Sequence, residues 1–470
     1  MLKKKAYNTK LIKIPEHDID QLNLNVEFIF KSTYVRSVDN KTIEFKSITT
    51  IEDYDSCNES ARYARSEQLV CLGILCFFTH IPFTVYDSEQ GSSNVNFDDF
   101  SMDPKNIEPK FISEVKDFSG DLKKLLHCLE TNTELSVTII DRIRKGLYLE
   151  RESDDANLHH DEAFLIYFGI VEMLTDHFTK DYKMQLETSV KNMLNKFYSE
   201  NSFYNVSTLK EKTTQKYKLL HDVMISEELN LKNRMLFMCK KLNLNHIFLE
   251  SFVGDIIKQR NKVAHGRTIY NDKFIWPLPP FFSSLGDSTT KLYTVYCFMI
   301  NIAHRFFELD SSKESYEMFE NMLLPTNEFI KQLLSEPKKY SFSKEELISG
   351  NEYNFTFATI FYLWVHSIKN ISIDEIATVI GNEFLISEID EENGQCLFNI
   401  SILFADSSNV QIREKASENI KKIVKKTWYD WSNIKDALRY LDYYEVKFKW
   451  FKEWIQGGGH IKCNDDFSIA

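Results

Sequence analysis

In the run Ile256-Ile257-Lys258-Gln259-Arg260-Asn261-Lys262-Val263-Ala264-His265-Gly266, an arginine, an asparagine and a histidine stand close together near one end of an expected helix. A guanidinium holds a phosphate by paired hydrogen bonds, and an imidazole titrates near neutral pH. A carboxamide four residues before the histidine can orient its ring. Such a set is enough to cleave RNA without a metal ion.

The elements that carry these groups constrain them. On a helix Asn261 and His265 share a face and can hydrogen-bond, whereas Arg260 and His265 point about 140° apart. Three arrangements would still bring the guanidinium and imidazole to one phosphate. The arginine side chain could wrap around the helix, the histidine could sit on a frayed last turn, or a second copy of the helix could supply the missing partner. Gly266 favours a helix end just after the histidine, and Asn271 and Asp272 continue the turn-rich text. His265 would then lie near the negative pole of the helix dipole, which favours imidazolium.

Arg260 and His265 form an R-x4-H motif, and the fuller text RNKVAHG resembles the signature of HEPN domains, most closely their ApeA-like branch. The resemblance implies a homodimer whose motif helices face each other across a composite site. That agrees with the third arrangement. From His160 to Phe178 the chain places Phe164, Phe168, Val171 and Leu174 or Thr175 on one helical stripe. This segment resembles the opening helix of such domains, in which a glutamate within the apolar run faces the motif, and Glu172 is the matching residue. A further apolar helix, Leu292 to Leu309, suits the closing of a four- or five-helix HEPN bundle over residues 151–310.

The reaction implied by the resemblance is endoribonuclease cleavage. The ribose 2′-hydroxyl attacks the adjacent phosphorus, leaving a cyclic phosphate and a free 5′-hydroxyl. His265 would move the proton, Arg260 would stabilise the phosphorane charge, and Asn261 would fix the imidazole or contact the phosphate. Lys258, Lys262 and Arg267 would add RNA-binding charge, and neither a cofactor nor a metal is called for. The implied setting is a toxin-like, anti-phage abortive-infection effector that cuts transfer RNA or other cellular RNA on a phage or host trigger. The alternative is a non-catalytic HEPN module for dimerisation and for binding RNA or protein; the intact Arg260 and His265 favour the enzyme.

Residues 1–150 read as an α+β unit, for which the resemblance implies a sensing or substrate-binding role. Val26 to Tyr34 and Thr42 to Ile51 are expected as a strand pair around an Asp39-Asn40 turn. A helix is expected from Ser60 to Phe78, with Leu69, Leu72, Leu75 or Cys76 and Thr79 inward and Pro82 ending it. Asp87 to Pro109 reads as an exposed loop, and a shorter helix is expected over Asp121 to Glu130. Residues 311–470 read as a helical region for RNA or partner docking. In it Cys396 to Lys426 gives an apolar helix, a polar turn and an amphipathic helix. Lys421, Lys422, Lys425, Lys426, Trp428, Tyr429, Trp431, Lys447, Lys449, Trp450, Lys452 and Trp454 then mix cations with rings. The reading favoured for that cluster is core rings with a solvated rim, over an RNA-docking surface.

Composition sets the outer limits. Few glycines and prolines in 470 residues point to a mainly helical protein of two or three domains. The net charge of −12 opposes nonspecific grip on long nucleic acid and suits a target engaged over few phosphates. Eight cysteines without a C-x-x-C pair fit a reduced, cytoplasmic setting with packed thiols. The start MLKKKAYNTK lacks a signal-peptide core, and Leu69 to Phe83 is too short to span a membrane. His159 and His160, followed by Asp161 and Glu162, read as a capped helix start, not a metal site.

Overall fold

A computed structural model describes residues 3–15, 22–94, 107–114, 116–151, 159–265, 292–320, 322–337, 339–366, 368, 370–429 and 434–462. The chain is mainly helical with an α+β N-terminal part, and it divides into two compact units. One holds Met1–Asn245, Val263–His265 and Val295–Glu317; the other holds His246–Lys262, Gly266–Thr294 and Met318–Ala470.

The first unit begins with an antiparallel sheet of β1 (Lys3–Lys13), β2 (Asn25–Phe30), β3 (Thr33–Asp39), β4 (Thr42–Glu52), β5 (Ser88–Asn94) and β6 (Lys110–Ile112). The strand order is β5-β1-β4-β3-β2-β6. This corrects the expected strand pair and the expected loop after it. The turn at Asp39-Asn40 does join two strands, β3 and β4, but Val26 to Tyr34 is itself two strands. Lys31, at φ 52°, makes the reversal between them without a glycine. The expected loop after Asp87 contains the edge strand β5, and the remainder of it over 95–106 lies outside the described residues.

Helix α1 (Glu59–Thr79) lies on this sheet, and His80 ends it in the left-handed conformation, φ 58°. Residues Val70 to Phe78 are all buried, so the expected inward stripe is too narrow. The reason is a second layer: α3 (Thr133–Arg151), preceded by α2 (Ser119–Thr131), covers the other side of α1. A Cβ on Gly73 would come within 2.4 Å of Ile140 Cγ2, and one on Gly146 within 2.2 Å of Tyr167 Cε1. The two glycines let α1 approach α3, and let α3 approach the next helix, more closely than any side chain would allow.

A polar seam fixes α1 on the sheet. Gln68 Nε2 donates to Asn8 Oδ1 (2.7 Å) and Ser47 Oγ (3.1 Å), and Asn8 Nδ2 donates to Ser92 Oγ (3.0 Å) and Gly91 O (3.2 Å). Buried polar groups so paired cost little and hold one register, whereas a slip would strand them.

After α3 come α4 (His160–Asn201), α5 (Val206–Glu228) and α6 (Leu231–Lys241), the last capped by the Asn230 side chain on Asn233 N. Helix α4 runs well past the expected end at Phe178. Its buried Phe164, Phe168, Val171, Leu174 and Thr175 are the stripe read from the sequence, while its second half exposes Met184, Met193 and Phe197. Tyr182 stacks on Phe237 at 4.6 Å, and Arg234 pairs with Asp176. His159 precedes α4 without a side-chain cap bond, so the expected capping fails; Asp161 and Glu162 supply the first-turn negative charge instead.

Helix α7 (Leu249–Ala264) is next in the chain, then α8 (Leu292–Phe306) and α9 (Ser312–Glu320). The second unit continues with α10 (Asn327–Ser335), α11 (Lys344–Ser349), α12 (Phe357–His366), α13 (Ile373–Ile386), α14 (Gly394–Phe404), α15 (Val410–Lys426), α16 (Ile434–Tyr443), α17 (Lys449–Gln456) and α18 (Gly459–Lys462). Its starts are chemically marked. Ser343 with Glu346 and Ser372 with Glu375 form capping boxes, and Asn409 caps Gln411 N and Ile412 N. Helices α14 and α15 are the apolar and amphipathic pair expected between Cys396 and Lys426. Among the described residues no helix is long and apolar enough to cross a membrane, and the seven described cysteines form no disulfide with one another.

Within the first unit His304 of α8 packs its ring 5.0 Å from that of Phe77 and is only 6% exposed. Burial, reinforced by the neighbouring His80, lowers its pKa from 6.5 to about 3. The folded protein therefore keeps this ring neutral while the unfolded chain protonates it. Its contribution is fully present above pH 6.5 and is lost as pH falls toward 3. We expect a loss on the order of 3 kcal/mol between pH 6.5 and 4. Thermal melts of wild type and His304→Phe across that range check this: the variant should melt with a shallower acid slope, and parallel slopes would refute it.

Candidate active site

The fully buried side chains of helix α7 lie in its first half. Leu249, Val253 and Ile256 form its buried stripe; in the second unit Phe252 meets Phe319 at 5.2 Å, and Phe248, just before the helix, meets Phe329 at 5.2 Å. Beyond Ile256 none of its residues is fully buried. Ile257, Gln259, Arg260 and Val263 are half-buried, and Lys258, Asn261, Lys262 and His265 are exposed. The motif thus occupies the last two turns, past the final apolar anchor.

The helix ends at Ala264, one residue earlier than the sequence suggests, and His265 comes after it in a turn. His265 therefore stands outside the helical register. Leaving the helix changes the pairing of the carboxamide. Asn261 Oδ1 accepts from Arg260 Nη1 at 3.2 Å, and no Asn261–His265 hydrogen bond forms among the described residues. One chain therefore brings Arg260 and Asn261 together and leaves the imidazole exposed.

Charge is locally reversed against the acidic whole. Lys258, Arg260 and Lys262 lie within two turns, opposed by Asp255, whose Oδ1 takes a hydrogen bond from Lys258 Nζ at 3.2 Å. Asp255 went unread in the sequence, although its i, i+3 spacing to Lys258 is the signal for such a pair. Cations at a helix C-terminus are also favoured by the dipole. Arg267 lies outside the described residues. Glu172 is half-buried on α4 in the first unit, between the buried Val171 and Leu174. No group of three or more histidine, cysteine or acidic side chains converges among the described residues.

The basic, aromatic stretch near the C-terminus resolves into core and rim. Trp428, Tyr429, Trp450 and Trp454 pack half-buried against the apolar core of the second unit. The ammonium groups of Lys422 and Lys426 each lie 6.0 Å from the centre of the Trp428 ring, and Lys421, Lys425, Lys447 and Lys449 are exposed. Trp431 lies outside the described residues. Rings that fill a core and carry lysine stems are poor stacking platforms for bases.

Compared with family models, curated proteins and solved structures, the chain finds no match.

Charge reversal at Lys422 and Lys426 should consequently leave RNA affinity within about twofold of wild type, since isolated rim charges contribute little. Filter binding or fluorescence anisotropy at fixed salt measures it, and a large loss would restore the docking surface.

Proposed function

We propose that this protein is a metal-independent endoribonuclease of the HEPN type, acting as a homodimer through its motif helices. The observation that carries the reading is the Arg260-to-His265 text, RNKVAH, at the C-terminal end of α7, with Arg260 half-buried and His265 exposed. An imidazole and a guanidinium are the two groups that 2′-hydroxyl attack requires. One moves the proton; the other holds the charge that builds on the phosphate. An imidazole left exposed suits a site completed by a second copy, and the spacing about the helix supports the same need.

In this reading His265 is the general acid or base, Arg260 the phosphate ligand, and Asn261 a positioning residue that orients Arg260 through its carboxamide. Lys258 and Lys262 add local positive charge for a substrate gripped over few phosphates. Glu172, on α4, is the auxiliary acid of this reading. The substrate class is cellular RNA, transfer RNA included, and the setting is a toxin-like anti-phage response in the cytoplasm.

Inducible expression of wild type and His265→Ala, with growth and RNA integrity followed together, tests the reading. Loss of the imidazole should lower cleavage by about 10²–10⁴-fold at unchanged fold. EDTA should not inhibit, and RNA carrying a 2′-deoxy residue at the cut should survive. A folded His265→Ala protein that is as toxic and as active as wild type removes the catalytic role and leaves a binding module.

A further inference from the structure

A separate site is built into the N-terminal sheet, and it does not rest on the nuclease reading. The register of β1 against β5 sets Lys10 opposite Gln90 and Ile12 opposite Ser88. Alternate residues of a strand share a face, so these four look to the same side as Asn8, which is hydrogen-bonded to Gln68 of α1. From α1 come Arg62, Arg65, Leu69 and Leu72, three or four residues apart on one stripe. The turn over 83–86 closes the space with Phe83, Thr84 and Tyr86. The cavity so lined measures about 390 Å³, within the range of small-ligand sites.

Its charge is one-sided. Lys10, Arg62 and Arg65 line it, and no carboxylate does. Glu89, between Ser88 and Gln90, points to the other face of the sheet and pairs with Lys13 at 2.5 Å. Lys10, Arg62 and Arg65 make no ion pair among the described residues. Behind the wall, Arg144 donates to Thr84 Oγ1 at 3.2 Å. Burial, then Arg65 and Arg144, lower the Lys10 pKa, so the cluster holds like charges at a cost that a bound anion would relieve.

We infer that this cavity binds a nucleoside 5′-phosphate, free or at the end of an RNA strand. Two guanidiniums and an ammonium suit a phosphate, since the planar arginine fork matches its oxygens. Ile12, Leu69, Leu72 and Phe83 give an apolar floor too large for inorganic phosphate alone, and Tyr86 offers a ring beside a base.

Isothermal titration of the full chain tests the site, with AMP, GMP, UMP, adenosine, inorganic phosphate, and a short 2′-O-methyl RNA bearing either a 5′-phosphate or a 5′-hydroxyl. At least one nucleotide should bind with a sub-millimolar Kd, and adenosine and inorganic phosphate about tenfold or more weaker. Arg65→Gln and Lys10→Gln should each weaken that nucleotide by about tenfold with the melting temperature of the free protein unchanged. If the mononucleotide and the 5′-phosphorylated RNA compete, the end of a strand is also a ligand; mononucleotide binding alone assigns a free small molecule. The inference is overturned by any of four results: no nucleotide binding at millimolar concentration, inorganic phosphate binding as tightly, RNA binding regardless of its 5′-phosphate, or binding that Arg65→Gln leaves intact.

Discussion

A helix turns by about 100° per residue, and that constraint governs the candidate active site. Arg260 and His265, five residues apart, cannot both be aimed at one phosphate from a regular helix. The chain meets this by ending α7 at Ala264, so His265 is carried on a turn and no longer held in helical register. The apolar stripe that fixes α7 stops at Ile256. Past that stripe lies a cationic, partly exposed helix end whose groups a facing copy can complete. In the proposed reading, a site shared between subunits would make activity depend on assembly.

The N-terminal unit obeys the opposite logic. There the seam of Asn8, Ser47 and Gln68 and the close contacts at Gly73 and Gly146 lock the sheet, α1, α3 and α4 in one arrangement. A rigid frame of this kind can hold uncompensated cations in fixed positions. The cluster around Lys10 is the place where the frame leaves them unpaired among the described residues, and preorganised charge binds an anion without paying for reordering.

Much of the fold was legible from residue patterns, and the failures have identifiable physics. The apolar stripe of α4 and the spans of α1, α14 and α15 could be read because their apolar residues keep a helical period, and Asn409 also caps α15. Strand β1, with the text KKKAYNTKLIK, hid because lysines on both of its faces blur the apolar alternation. Strands β2 and β3 merged because Lys31 reverses the chain where a glycine or asparagine would be expected. Strand β5, SEQGSSN, has loop composition and survives as an edge by pairing with β1. At the candidate site, sequence identified the groups and their angular conflict. It did not show that Asn261 would turn to Arg260, since that depends on where the helix lets go. The pocket around Lys10 was invisible because its residues come from three distant segments.

In the proposed site the guanidinium of one copy works with the imidazole of another. Mixing two inactive proteins, Arg260→Ala and His265→Ala, after dissociation and reassociation tests it most directly, with RNA cleavage as the readout. A shared site predicts restored cleavage in the mixture, because the mixed dimer pairs an intact arginine with an intact histidine at one of its sites. A mixture that exchanges subunits and still leaves RNA uncut would contradict the account.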